Sequence, residues 1–228
     1  MRIAVLRHGV TQANIERRYI SRSDVPLSAA AHAALAPARR RLAAERPLAF
    51  TSDLSRCTAT LARVCPPSRT SRGRAGRVCC GKAAVRDARL RELDFGRWEG
   101  LTYEDLRSDK RYCAWLDDMT AVIPPNGESW QQFAARTDQA WRDILRQASM
   151  HRPRRAAHRG AKPIAVLVVT HGGVLRRLHS LAWPAASFWD IPAPTGGGYV
   201  LVAQRQGKHW RFLRTEPLTV IHGESPNK

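Results

Sequence analysis

Two short apolar runs near opposite ends of the chain stop at the same kind of boundary. Ile3-Ala4-Val5-Leu6 runs into Arg7-His8-Gly9, and Ile164 to Val169 runs into Thr170-His171-Gly172-Gly173. Each run is rich in β-branched residues, too short for a buried helix, and closed by polar residues and glycine. That pattern predicts central strands of a parallel sheet, covered on both faces. In open α/β sheets a ligand sits beyond the carboxyl ends of the strands. If the two strands are neighbours, His8 and His171 face one crevice.

The intervening sequence supplies the helices such a sheet needs. Ser28 is placed to cap a helix through the alanine-rich stretch to about Glu45, which Pro37 must kink or interrupt. Leu48 to Thr51 reads as another strand, and Ser52 or Asp53 as the cap of a helix running through Leu54, Leu61 and Val64 to Pro66. One or two short helices are expected between Trp98 and Met119, then a Pro124-Pro125-Asn126-Gly127 turn. From Glu128 to about Met150 the chain is amphipathic, with Trp130, Phe133, Ala134, Thr137, Trp141, Ile144 and Leu145 on one face. A helix follows His171 through Leu181, and Tyr199–Ala203 with Trp210–Arg214 form a closing pair of strands. No repeat is visible at solenoid periods. Strands alternating with helices predict an α/β domain with helices on both faces of a mostly parallel sheet.

The 228 residues suit one domain, expected to span 1–228, with flexible basic loops at 66–83 and 151–162 and a tail from 216 to 228. No run approaches the apolar length needed to span a bilayer, and Arg7-His8 interrupts the first strand before a signal peptide could form. The cytoplasm is the expected compartment. The five cysteines form no CxxC pair and are expected to be free thiols without a chemical role. The formal net charge is +19, with arginine clustered at Arg69–Lys82, Arg142–Lys162 and Arg205–Arg214. Such a field attracts anions, phosphorylated metabolites and polyanions included. These runs lack the interleaved aromatics of a single-strand stacking platform, so solvated surface is the plainer account.

The strand-end chemistry gains force from a third stretch. The strand ending near Thr51 delivers Arg56 from the first turn of the following helix. Arg7, His8, Arg56 and His171 would then enclose one small dianion, with Gly9 and Gly172 allowing close backbone approach. A neutral imidazole can attack phosphorus, and guanidinium groups can stabilise the transferring charge. The histidines follow no metal-binding spacing, so neither metal nor cofactor is expected.

In order along the chain, Arg7-His8-Gly9-x-Thr11-x-x-Asn14, Ser52-x-Leu54-x-Arg56-x-x-x-Thr60 and Thr170-His171-Gly172-Gly173 resemble the histidine phosphatase superfamily, also called phosphoglycerate mutase-like. The resemblance runs from Met1 to about Arg214. It implies a three-layer sandwich: a mostly parallel six-stranded sheet, helices on both faces, and a helical insertion over the active site. It also implies His8 as nucleophile, Glu92 as proton donor to the leaving oxygen, and Arg7, Arg56 and His171 as ligands of the phosphoryl group. Thr11, Asn14, Ser21 and Gly172 fall among the substrate-binding positions, and a homodimer is common among such proteins.

Leu90-Arg91-Glu92-Leu93-Asp94-Phe95-Gly96-x-Trp98-Glu99-Gly100 is similar to the phosphatase branch rather than the mutases. Pro124 to Ser129 resembles a turn of α-ribazole phosphatases; it is either a plain helix cap, with Asn126 or Gly127 at the N-terminus, or gives Glu128 a place in a substrate lid. Trp98 reads as packing. The stretch that usually carries glycine near Ser21 and Ala31 keeps only Asp24, Pro26, Leu27 and Ser28. The expected activity is a phosphomonoesterase on a small phosphorylated metabolite, α-ribazole 5'-phosphate leading. The alternatives are a phosphoglycerate mutase and an anion- or nucleic-acid-binding protein that has lost catalysis.

Overall fold

A computed structural model describes residues 1–43, 45, 47–66, 84–151, 163–207 and 209–219. The loops expected at 66–83 and 151–162 lie outside these residues except for Pro66 and His151. Six strands form one sheet: β1 (Arg2–Arg7), β2 (Leu48–Thr51), β3 (Val85–Arg86), β4 (Ile164–Thr170), β5 (Gly198–Gln206) and β6 (His209–Pro217). Their order is β3-β2-β4-β1-β5-β6. The first four are mutually parallel, and β5 and β6 join as an antiparallel edge.

The two apolar runs are therefore neighbours at the centre of the sheet. Every residue of β4 is buried, as a strand covered on both faces requires. Side chains alternate between the faces with period two. Ile3, Val5, Phe50, Val166 and Val168 point into one core, and Ala4, Leu6, Ala49, Leu167 and Val169 into the other. The second core is closed by the helices α2 (Ala31–Ala34), α3 (Ala36–Leu42) and α4 (Ser55–Val64). The first is closed by α7 (Trp130–Met150) and α8 (Gly172–Ala182). The result is the expected three-layer α/β sandwich. Between α1 (Gln12–Ile15) and α2, and between β3 and α7, the chain is mostly loop. The latter region holds α5 (Tyr103–Leu106), α6 (Lys110–Asp117) and two single 3-10 turns. Edge-to-face contacts of Tyr19, Phe95, Trp98, Tyr112 and Trp115 bind it to the loop after α1. Trp98 is buried there, as packing.

Several local expectations change. The alanine-rich helix is broken at Leu35 into α2 and α3, with Pro37 in the first turn of α3, where its missing N–H costs nothing. Ser28 does not cap α2; its hydroxyl donates to the Val10 carbonyl at 3.1 Å. Neither Ser52 nor Asp53 caps α4. The Asp24 carboxylate accepts the Ser55 N–H at 2.7 Å instead, a cap supplied from a distant loop. Helix α7 has the capping box of Ser129 and Gln132, entered through Asn126 at φ 60°, a left-handed position asparagine tolerates. The chain beyond 216 is not all tail, because β6 reaches Pro217 and Leu218 is buried in the second core. Cys57 and Cys113 are free thiols, but Cys65 is disulfide-bonded, against the expectation of free thiols throughout. Among the described residues no helix is long and apolar enough to cross a membrane.

Candidate active site

Register sets the site. β1 and β4 pair in step, with Arg7 opposite Thr170, so both strands end on the same rung. The ladder continues one step further, His8 N–H donating to the Thr170 carbonyl at 2.8 Å. The His8 and His171 rings consequently lie 5.2 Å apart between centroids, at 64° to one another. β2 ends beside them, with Ser52 N–H on the Val169 carbonyl at 3.0 Å, and brings Arg56 in on α4.

His8 is 4% exposed, and its Nδ1 lies 2.7 Å from the carbonyl of Gly9. A carbonyl only accepts, so Nδ1 carries the proton and Nε2 keeps its lone pair. Burial, then the positive charges of Arg7 and Arg56, hold the His8 pKa well below its ordinary range. The ring is neutral at pH 7, the state a nucleophile needs. His171 is likewise held neutral by burial and by the groups around it, His8 first, then Arg56 and Arg7. Its Nε2 faces the Ser52 hydroxyl at 3.0 Å and the Cys57 sulfur at 3.5 Å. That thiol is pushed up to about 12, chiefly by burial, and is inert.

The two guanidiniums are held by backbone oxygens rather than by carboxylates. Arg7 donates to the Ala193 carbonyl at 2.6 Å. Arg56, 1% exposed, donates to the carbonyls of Ser23 and Ser21 at 2.7 and 2.8 Å. Neutral acceptors fix each side chain while leaving its charge uncompensated. Nearly every other arginine shielded from solvent in the described fold has a carboxylate partner: Arg2 with Glu216, Arg22 with Asp94, Arg41 with Glu45, Arg89 with Asp87, Arg91 with Asp53, Arg136 with Glu128 and Arg177 with Asp138. Three nitrogens in the site, Arg7 Nε, Arg56 Nε and His171 Nδ1, are buried with no hydrogen-bond partner among the described residues. Unsatisfied buried polar atoms are costly, and these three belong to the side chains whose charge or ring acts on His8. An anion bound among them would satisfy all three.

Glu92 follows a 3-10 turn, Ala88–Leu90, and is 9% exposed. Its carboxylate accepts the N–H groups of Leu93 and Gly173, both at 2.9 Å. The second lies in the first turn of α8. A Cβ at Gly173 would stand 2.4 Å from Glu92 Oε1, so only glycine allows this approach. Gly172 sits beside Arg7, and Gly9 donates its N–H to Thr60 at 2.9 Å.

Other expected positions act indirectly. Thr11 and Asn14 bond to each other as the capping box of α1. Ser21 turns its hydroxyl to Glu99, at 3.1 Å, and touches the site through the carbonyl that holds Arg56. Glu128 is no free lid residue: it is buried and paired bidentately with Arg136 at 2.5 and 2.7 Å.

Two residues escape the sequence reading. Arg136 looks like one polar position of an amphipathic helix. Arg176, four residues past Gly172 on α8, donates to the Ile191 carbonyl at 3.0 Å and lies over the Phe188 and Trp189 rings. It is half-buried without a carboxylate partner among the described residues, and its charge acts on both Glu92 and Arg7. The one signal for it is its helical phase with Gly172. No cluster of three or more potential metal ligands occurs among the described residues.

A family model described as histidine phosphatase superfamily, branch 1, matches residues 3–216. The chain is 32% identical over 215 residues to the glucosyl-3-phosphoglycerate phosphatase of Mycobacterium tuberculosis, covering 92% of this chain and 86% of that one. It is 29% identical over 202 residues to the adenosylcobalamin/alpha-ribazole phosphatase of Escherichia coli, covering 86% and 87%. In fold it resembles the alpha-ribazole phosphatase of Shigella flexneri, with a TM-score of 0.72 at 23% identity over 98% of this chain and 100% of that one. Some curated relatives are longer, and the chain spans 45% of their length.

Proposed function

The chain belongs to branch 1 of the histidine phosphatase superfamily and is a phosphatase of that kind, and we propose that it hydrolyses a small phosphomonoester through a phosphohistidine at His8, without a metal. The observation that carries this reading is the ring of unpartnered buried nitrogens around a neutral imidazole whose Nε2 lone pair is free. His8 Nε2 attacks phosphorus as the bond to the leaving oxygen breaks, and that oxygen takes a proton from Glu92. Arg7 and Arg56 neutralise charge on the transferring oxygens. The arriving dianion reverses the balance at His171, which takes a proton from solvent and donates from Nδ1. In the second half-reaction Glu92 takes a proton from water, the hydroxide attacks phosphorus, and the N–P bond breaks to release orthophosphate. Glu92 is then ready to donate again.

For the substrate, the likeness of the Glu92–Gly100 and Pro124–Ser129 stretches to α-ribazole phosphatases supports α-ribazole 5'-phosphate and a place in cobalamin synthesis. A second reading rests on Arg176. A third uncompensated guanidinium near Glu92, on the side of the leaving group, favours an alcohol that carries its own negative charge, as in glucosyl-3-phosphoglycerate. Phosphate release from both compounds and from 3-phosphoglycerate, ranked by kcat/KM, decides between them. Isomerisation of 3-phosphoglycerate faster than its hydrolysis would favour a mutase. The His8→Ala variant is expected to lose turnover together with an acid-labile phosphoenzyme trapped from wild type. Equal turnover in the two proteins removes His8 from the mechanism. The cytoplasmic location, a homodimer and non-specific polyanion binding are part of the same proposal, open to fractionation, ultracentrifugation and salt-dependent binding.

A further inference from the structure

The carboxyl of Glu92 is carried by a stretch, 89–92, that has only a single 3-10 turn to hold it. Its backbone carbonyls need partners from elsewhere, since buried C=O groups are seldom left alone. Thr170, the last residue of β4, donates its hydroxyl to the Leu90 carbonyl at 2.8 Å. The other three go to one side chain. Arg136 Nη1 donates to the carbonyls of Arg89 and Arg91, both at 2.7 Å, and Nη2 to that of Glu92 at 2.8 Å. The remaining N–H groups of the same guanidinium meet Glu128, Nε on Oε1 at 2.5 Å and Nη2 on Oε2 at 2.7 Å. A guanidinium has five N–H donors, and all are engaged. The planar group also lies over the Phe133 ring, 5.0 Å from its centroid.

This arrangement does more than join two segments. Glu128 fixes the plane of the guanidinium, since a bidentate carboxylate sets its orientation as well as its charge. The opposite edge of that plane grips the backbone on both sides of Arg91 and at Glu92 itself. Beyond the grip, the Glu92 carboxylate accepts the Leu93 and Gly173 N–H groups. The position of the acid thus depends on a side chain from α7.

We propose that Arg136, oriented by Glu128, is a positioning residue that sets the proton donor Glu92 against the leaving oxygen. The proposal rests on the reading of Glu92 as that donor. In the step concerned, the P–O bond breaks while the His8 N–P bond forms, and the Glu92 proton passes to the departing alkoxide. A misplaced carboxyl slows this transfer for a poor leaving group. It leaves a good one almost untouched, because p-nitrophenolate departs without a proton.

The test compares kcat/KM, which reports the first half-reaction alone, for an alkyl phosphate, β-glycerophosphate, and for p-nitrophenyl phosphate, on wild type, Arg136→Lys, Glu128→Gln and Glu92→Gln. Loss of a general acid costs about 10²- to 10⁴-fold, so kcat/KM of Glu92→Gln is expected to fall by that amount on β-glycerophosphate and much less on p-nitrophenyl phosphate, while its kcat falls on both because the phosphoenzyme loses the base that activates water. Arg136→Lys cannot reproduce the planar fork, and a small misplacement near the chemistry is worth up to about 100-fold. It should show the same selective loss, and Glu128→Gln a weaker version of it. Retained kcat/KM on p-nitrophenyl phosphate is itself the control for folding. Equal losses on both substrates, or no loss, in Arg136→Lys and Glu128→Gln while Glu92→Gln stays selective would overturn the positioning role alone. An unselective Glu92→Gln would remove the donor role, and with it this proposal.

Discussion

Lowering the pH should expose the cost of keeping two neutral imidazoles in one positive pocket. His8 and His171 both titrate well below the usual histidine value, chiefly because they are buried and then because cationic groups surround them. In the unfolded chain each binds a proton below about pH 6.5. The folded chain does not, so the unfolded state gains protons as the pH falls and stability drops with it. The loss begins near the unfolded value and ends only below the folded ones. For one such group it is about 1.4 kcal/mol on going from about pH 7.5 to 5.5, and about 3 kcal/mol for the two together. Urea unfolding followed by circular dichroism across this range, in buffers free of phosphate, measures the total. The His8→Asn/His171→Asn variant removes both groups, and its stability should decline less steeply by that amount. Each single variant should recover roughly half, about 1.4 kcal/mol. Because other acidic and basic groups titrate identically in all four proteins, only the difference in slope counts. Parallel curves for wild type and the double variant would refute the claim that these rings are held neutral.

Other expectations concern the chemistry itself. Gly173→Ala puts a methyl 2.4 Å from Glu92 Oε1 and should lower kcat/KM on alkyl phosphates by about 10- to 100-fold with little effect on that for p-nitrophenyl phosphate. Unchanged kcat/KM on alkyl phosphates would mean the Glu92 carboxylate works from another position. Arg176→Ala should raise KM by about 10-fold or more for a substrate whose alcohol is anionic, the value of a charged hydrogen bond, and leave α-ribazole 5'-phosphate nearly unaffected. A uniform effect would assign Arg176 only to anchoring the Ile191 carbonyl.

The parts of the molecule legible in the sequence are those written by local signals. An apolar run cut off by His-Gly marks a strand and its functional end together, so β1, β4, His8 and His171 could be read directly. Arg56 could be expected because it lies one turn into a helix after a third strand. Distant partners were not legible. Asp24 caps α4 from another loop, where the neighbouring Ser52 and Asp53 offered a plausible local cap. Ser52 is instead committed to His171, and Asp53 to Arg91. Arg136 has the sequence context of a solvated helix position, and nothing nearby announces that its partners are backbone oxygens more than forty residues earlier. Glu128 was a candidate for a substrate lid because its pairing with Arg136 depends on the turn at Asn126, whose geometry leaves no trace in composition.

The grip on Arg56 by the carbonyls of Ser21 and Ser23 has a consequence for sequence drift. Main-chain oxygens are supplied by every amino acid. The loop can exchange its side chains, to suit one alcohol or another, without loosening the cation proposed to bind phosphate. Chemistry and substrate preference can then diverge independently, and the missing glycine at position 21 is a change the catalytic apparatus has no reason to register.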